Sequence, residues 1–170
     1  FNAIRSRHYP NAPFFFEMCD KKGVKVIDEA DIEAHGPFMI YRKEDTDYNR
    51  FKRWNEKIAD DPVWEEAIVD RVKLMVERDK TRFCIVMWSM GNESAYGCNF
   101  EKALEWTKNF DPDRITQYES ARYRNYDKTY DYSNLDVYSR MYPALSEIQE
   151  YLDKDGSKPF LLVEYCHSMG

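Results

Sequence analysis

Only three histidines occur in the 170 residues, His8, His35 and His167. Each falls a few positions after a short, β-prone apolar run, and Glu33, Glu93, Tyr142 and Glu164 share that placement. In parallel α/β folds the loops leaving the carboxyl ends of the strands converge on the ligand. These side chains are therefore expected on one face. Their types narrow the chemistry: no Gly-rich phosphate loop follows a strand, and there is no GxSxG elbow and no HExxH helix. Carboxylate chemistry assisted by histidines remains, with a place for a hard cation. Two strand-end glutamates suit a retaining glycosidase, in which one acid protonates the leaving oxygen and the other carboxylate attacks the anomeric carbon, the pair lying about 5–5.5 Å apart. Glu93 then needs a raised pKa, which a neighbouring negative Glu164 would supply. Donors such as the Tyr142 hydroxyl would keep Glu164 ionised.

The elements that must position these groups can be read along the chain. Strands are expected at Phe1–Arg5, Val24–Ile27, Cys84–Trp88, Ile115–Tyr118, Leu135–Ser139 and Phe160–Val163. A helix opens at Asn11-Ala12-Pro13 and closes before Gly23. A second starts at Asp60-Asp61-Pro62 and carries Trp64, Ala67, Ile68, Val72, Met75 and Val76 as one apolar stripe. Asn99–Asn109 repeats the pattern through Phe100, Leu104 and Trp106, and a last helix carries Leu145, Ile148 and Leu152. Phe38–Asp61 has no clean period and reads as a long surface excursion, and Glu119–Asn134 as a loop. Strands alternating with helices at this spacing call for βαβ crossovers and a parallel sheet. The fold class is α/β, six consecutive units of a (β/α)8 barrel about two short of a full set, since a complete barrel takes roughly 250 residues. Residues 1–170 are expected to form a single partial barrel domain, with both ends reading as cut, and to show little activity in isolation because two sheet edges stay unpaired.

Composition agrees with a sugar-directed α/β domain. The 13 Tyr and 10 Phe offer flat surfaces against which sugar rings can pack. A net charge of −6 without a basic run argues against nucleic acid as the main partner, and no apolar stretch approaches the roughly 20 residues that span a bilayer. Cys19, Cys84, Cys98 and Cys166 form no CxxC pair and read as buried free thiols, which suits a reducing, cytoplasmic compartment.

Four separate stretches resemble the signatures of glycoside hydrolase family 2: His8-Tyr9-Pro10, Asp28-Glu29-Ala30-Asp31-Ile32-Glu33-Ala34-His35-Gly36, Trp88-Ser89-Met90-Gly91-Asn92-Glu93-Ser94 and Glu164-Tyr165-Cys166-His167-Ser168-Met169-Gly170. They recur in the right order over nearly the whole chain, and they are most similar to the large bacterial β-galactosidases of that family. The resemblance implies a catalytic (β/α)8 TIM barrel of which these residues supply strands two to seven. It implies Glu93 as acid/base and Glu164 as nucleophile, with His8, Asn92, Tyr142 and His167 as substrate-binding residues and Glu33, His35 and Glu93 as ligands of an active-site Mg2+. A β-galactoside substrate and a homo-oligomeric full-length protein follow from the same resemblance. A β-glucuronidase or another exo-glycosidase of the family, and a catalytically silent sugar-binding homologue, are the competing readings. Two positions depart from the family pattern. Arg7 stands where a small residue usually precedes the histidine, and Thr81-Arg82-Phe83 replaces an Asn-His-Pro entry to the anchor strand.

Overall fold

A computed structural model describes residues 1–41, 44, 46 and 48–166. Six parallel strands alternate with helices. β1 (Ala3–Arg5), β2 (Lys25–Glu29), β3 (Ile85–Ser89) and β4 (Ile115–Gln117) form one sheet in the order β1-β2-β3-β4, and β5 (Tyr138–Met141) pairs with β6 (Phe160–Glu164). Neighbours in space are neighbours in sequence, which is the winding of a barrel and not of a doubly wound sheet, whose strand order reverses at a switch point. The two groups of strands are joined at Asp136, whose amide donates to the Thr116 carbonyl at 3.1 Å while its carboxylate accepts from the Thr116 amide at 2.7 Å.

The connecting helices are α1 (Pro13–Lys22), α2 (His35–Tyr41), α3 (Trp54–Lys57) and α4 (Glu65–Asp79), the last three all between β2 and β3, then α5 (Cys98–Phe110) and α6 (Leu145–Lys154), while β4 and β5 are joined through the 3-10 turn Glu119–Arg122. In α1 Pro13 pre-sets the first turn and Gly23 caps the end at φ +70°, a left-handed conformation that glycine adopts without a Cβ clash. Ile68, Val72, Met75 and Val76 of α4 are buried, at the i, i+4, i+7, i+8 spacing that puts them on one face. That face packs beside α5, whose Phe100, Ala103 and Leu104 are also buried. In the core between helices and strands, Val26, Trp88, Met90, Tyr96 and Phe100 are fully inaccessible. Burying each such side chain contributes about 1.5–3 kcal/mol.

Several expected boundaries moved. β2, β3 and β6 run one or two residues further, to Glu29, Ser89 and Glu164, because ladder pairing such as Glu29 with Ser89 continues past the apolar run. The fifth strand begins at Tyr138 and not at Leu135: Leu135 and Val137 are buried, but Asp136 is spent on Thr116 and on Lys108 at 2.6 Å, so the chain crosses β4 there before it can enter a ladder. The stretch from Phe38 to Asp61 takes in the end of α2, a π-helical turn over Tyr48–Arg53 and α3, anchored by the buried Trp54 indole donating to the Ala34 carbonyl at 3.2 Å. Trp64 is exposed and leaves the expected stripe, because it precedes α4 in a 3-10 turn. No residue of α6 is buried, and Leu145 and Leu152 face outward. Cys19 and Cys84 are buried as expected, but Cys98 is only half-buried and Cys166 is exposed. No helix among the described residues is long and apolar enough to cross a membrane.

Candidate active site

Glu164, the last residue of β6, has a nearly buried carboxylate. One oxygen accepts from Arg5 Nη1 at 3.1 Å, and the other accepts the Tyr142 hydroxyl and lies 3.4 Å from Arg7 Nη1. Tyr142 reaches it from a left-handed backbone conformation, φ +47°, just beyond β5. Burial works to raise the Glu164 pKa, but the Tyr142 hydrogen bond and the charges of Arg7, Arg5 and His8 outweigh it and hold the carboxyl below its ordinary value. Burial and then the Glu164 carboxylate push the Tyr142 phenol up to about 12, so it stays a donor.

The guanidinium of Arg5 organises the floor. Its Nε donates to Glu29 at 2.6 Å and its Nη2 to Asn92 Oδ1 at 3.0 Å, so one planar fork spans three strand ends. Glu29 is fully buried and also receives Ser89 Oγ at 2.7 Å and His8 Nδ1 at 3.0 Å. A carboxylate offers His8 only an acceptor, so the Nδ1 hydrogen is committed there and Nε2 is left for the cleft. Neither Arg5 nor Glu29 stands among the expected site residues. Both are the final residues of their strands, so the rule that selected Glu93 and Glu164 would have found them had it been applied to every charged residue.

Asn92 and Glu93 follow β3 on a tightly held loop. A Cβ on Gly91, at φ +139°, would lie 2.9 Å from the Ile32 carbonyl oxygen, so only glycine lets the two chains approach. The Asn92 amide then donates to the Ile32 carbonyl at 2.9 Å, and its side chain donates to Glu33 at 2.7 Å. Glu93 sits at φ +37°, with His35 Nδ1 at 3.4 Å from its carboxylate. One ligand atom each from Glu33, His35 and Glu93 lie within 4.8 Å of one another. Burial raises the Glu33 pKa, against the Asn92 hydrogen bond and with the charge of Glu93.

An open cleft of about 420 Å³ is lined by Arg7, His8, Asn92, Glu93, Tyr142 and Glu164. Glu93 also borders a second hollow of about 220 Å³ with His35, Phe38, Trp54, Arg122 and Tyr123. Two glutamates on one cleft, one clamped in its charged form and the other half-exposed at 32 % beside a histidine, are the components of a double displacement at an acetal carbon. The sequence profile described as "Glycosyl hydrolases family 2, TIM barrel domain" matches residues 1–170. The chain belongs to glycosyl hydrolase family 2.

Its similarity to members of family 2 is spread over the whole length. A β-galactosidase of Actinobacillus pleuropneumoniae is 43% identical over 184 residues, covering 99% of this chain and 18% of the relative. One of Staphylococcus xylosus is 44% identical over 173 residues, covering 100% and 17%. The chain therefore spans less than a fifth of the length of the curated relatives it matches. Among solved structures, a β-glucuronidase of Bifidobacterium dentium in complex with coumarin-3-O-glucuronide superposes with a TM-score of 0.65 at 22% identity, covering 99% of this chain and 29% of that one, and carries the same fold. Within this family 2 barrel the structure brings His8, Asn92, Glu93, Tyr142 and Glu164 to one cleft, and it sets Glu33 and His35 close to Glu93, His35 lining the neighbouring hollow. His167 lies outside the described residues.

Proposed function

We propose that the protein carrying this chain is a retaining β-galactosidase in which Glu164 is the nucleophile and Glu93 the acid/base. One observation carries the reading: Glu164 is held ionised by Tyr142, Arg5 and Arg7 on the same cleft that Glu93 lines. Glu164 attacks the anomeric carbon as Glu93 protonates the departing oxygen, leaving a covalent glycosyl ester. Glu93 then takes a proton from water, which attacks the same carbon and frees Glu164. His8, held at Nδ1 by Glu29, presents Nε2 to a sugar hydroxyl, and Asn92, held at Oδ1 by Arg5 and at Nδ2 by Glu33, has its second amide N–H left to donate. Identity of 43% and 44% to β-galactosidases favours galactose. A β-glucuronidase-like preference for an acidic sugar is the second reading, favoured by the half-exposed Arg7 guanidinium at the cleft. The four unpaired cysteines fit a reducing, cytoplasmic location.

Glu33, His35 and Glu93 fit a magnesium ion: two carboxylates and one imidazole converge within one ion's reach, leaving positions for water. When bound, the ion supplies fixed positive charge at the edge of the cleft. Asn92 donates to Glu33 at 2.7 Å, and His35 Nδ1 lies 3.4 Å from the Glu93 carboxylate, which keeps the three groups close together.

Hydrolysis of 4-nitrophenyl β-galactoside against the β-glucuronide separates the two readings of the sugar. Mass spectrometry after a slow-reacting 2-fluorogalactoside should place the label on Glu164, and a label on Glu93 would reverse the assignment. Glu93→Gln should lose most with poor leaving groups and least with activated aryl glycosides.

A further inference from the structure

Glu119 follows β4 on the 3-10 turn Glu119–Arg122, is only 1% exposed, and has no part in the chemistry proposed above. One of its carboxylate oxygens accepts the backbone N–H of Glu93 at 2.9 Å and the Ser120 hydroxyl at 2.5 Å. Glu93 is a non-glycine residue in the left-handed region, a conformation that persists only where the surroundings over-determine it. The loop around it is strapped at nearly every residue: Asn92 N–H to the Ile32 carbonyl at 2.9 Å, Ser94 Oγ to the Asn92 carbonyl at 2.7 Å, and Tyr118 Oη to the Ala95 carbonyl at 2.8 Å. At Glu93 itself the strap is a buried carboxylate. A carboxyl oxygen accepts an amide N–H in either protonation state, so the tether rests on the reach and placement of the side chain.

We propose that Glu119 is the positioning residue for Glu93, a tether that fixes the backbone from which the acid/base projects and so aims its carboxyl at the glycosidic oxygen. The inference rests on Glu93 as the acid/base, as proposed above. Loss of the tether leaves the nucleophile's clamp of Tyr142 and Arg5 intact, so the defect is confined to steps that need proton transfer. The alternative, that Glu119 merely fills space under the loop, predicts a uniform loss.

The test uses three variants in the protein carrying this chain. Glu119→Gln keeps the side chain's reach and an acceptor oxygen. Glu119→Asp keeps the carboxyl group but retracts the acceptor by one methylene, and Glu119→Ala removes it. With Asp and Ala, kcat/KM for methyl β-galactoside should fall about ten-fold or more beyond the fall for 2,4-dinitrophenyl β-galactoside, within the 10²–10⁴ that general acid catalysis supplies. Gln should restore most of the difference. Amide hydrogen exchange in a peptide spanning 90–97 should accelerate in Asp and Ala and stay near the parent's in Gln. Equal losses for both substrates, or Asp behaving as the parent does, would overturn the tether, and so would unchanged exchange in all three. If the parent cleaves neither galactosides nor glucuronides, the hydrolase reading fails and the aiming of an acid fails with it. The exchange result alone then decides whether Glu119 holds the Glu93 amide. Should Glu119→Ala not fold, the Asp and Gln pair carries the comparison.

Discussion

Arg5→Met isolates the electrostatic floor of the cleft. The substitution keeps an unbranched stem and removes three donors at once, to Glu29 at 2.6 Å, Glu164 at 3.1 Å and Asn92 at 3.0 Å. With side-chain exposures of 6% and 0%, Arg5 and Glu29 form a buried ion pair, and removing one partner of such a pair costs about 3–5 kcal/mol because the other charge is left uncompensated. Ser89 and His8 still donate to Glu29, at 2.7 and 3.0 Å, which places the expected loss at the lower end, about 3 kcal/mol. For a domain of this size that is roughly 6–12 °C in Tm, measured by calorimetry at fixed protein concentration. Catalysis should report the same change through a second channel. The folded pKa of Glu164 is depressed, so its ionised form, with whatever stability it contributes, is present above the unfolded pKa and is lost as pH falls through the folded one. Removing Arg5 raises the folded pKa, and the acid limb of kcat/KM should move to higher pH. Arg5→Met/Glu29→Gln should recover part of the stability by removing the orphaned charge. A shift below about 1 kcal/mol, the size of an ordinary hydrogen bond, with an unmoved acid limb would refute the floor as described.

Tyr142→Phe removes the hydroxyl that Glu164 accepts, so the acid limb of kcat/KM should again move up, with the protein's thermal midpoint nearly unchanged because Tyr142 is 48% exposed. Glu33→Gln should weaken activation by added Mg2+ in a titration after chelation, and activity indifferent to chelators would exclude the metal site. Asp28 is fully inaccessible, and burial, with the charge of Asp79 next, pushes its pKa well above the usual range. Its neutral form is favoured by folding, so the stability it contributes is present at acid pH and should decline as pH rises above about 4, the ordinary aspartate value. Asp28→Asn should flatten that part of a denaturation-against-pH series.

The strand–helix alternation was legible because the buried strands need β-prone apolar runs and the helices need stripes, and both requirements leave periods in the chain. Val72 and Met75 of α4, Phe100 and Leu104 of α5, and the Pro13 and Gly23 boundaries of α1 all followed from such local rules. The placement of His8, Asn92, Glu93, Tyr142 and Glu164 on one cleft was likewise implied by their positions at strand ends, since parallel strands entering a barrel point the same way. What a period cannot encode is which charges meet. Arg5 joins Glu29, Asn92 and Glu164, separated from it by 24, 87 and 159 residues, and although its place at a strand end was legible, no local pattern names those partners. Glu119 lies in a polar loop by composition, yet it is buried because the Glu93 amide 26 residues away needs an acceptor. The start of β5 was misplaced for a related reason: the apolar run from Leu135 satisfies strand propensity, but Asp136 gives its hydrogen bonds to Thr116 on β4 before the ladder begins. Sequence alone determined which residues stand at the ends of the strands. Tertiary structure decided their partners and their charge, because a carboxylate's ionisation is set by burial and by the donors brought to it from elsewhere in the chain.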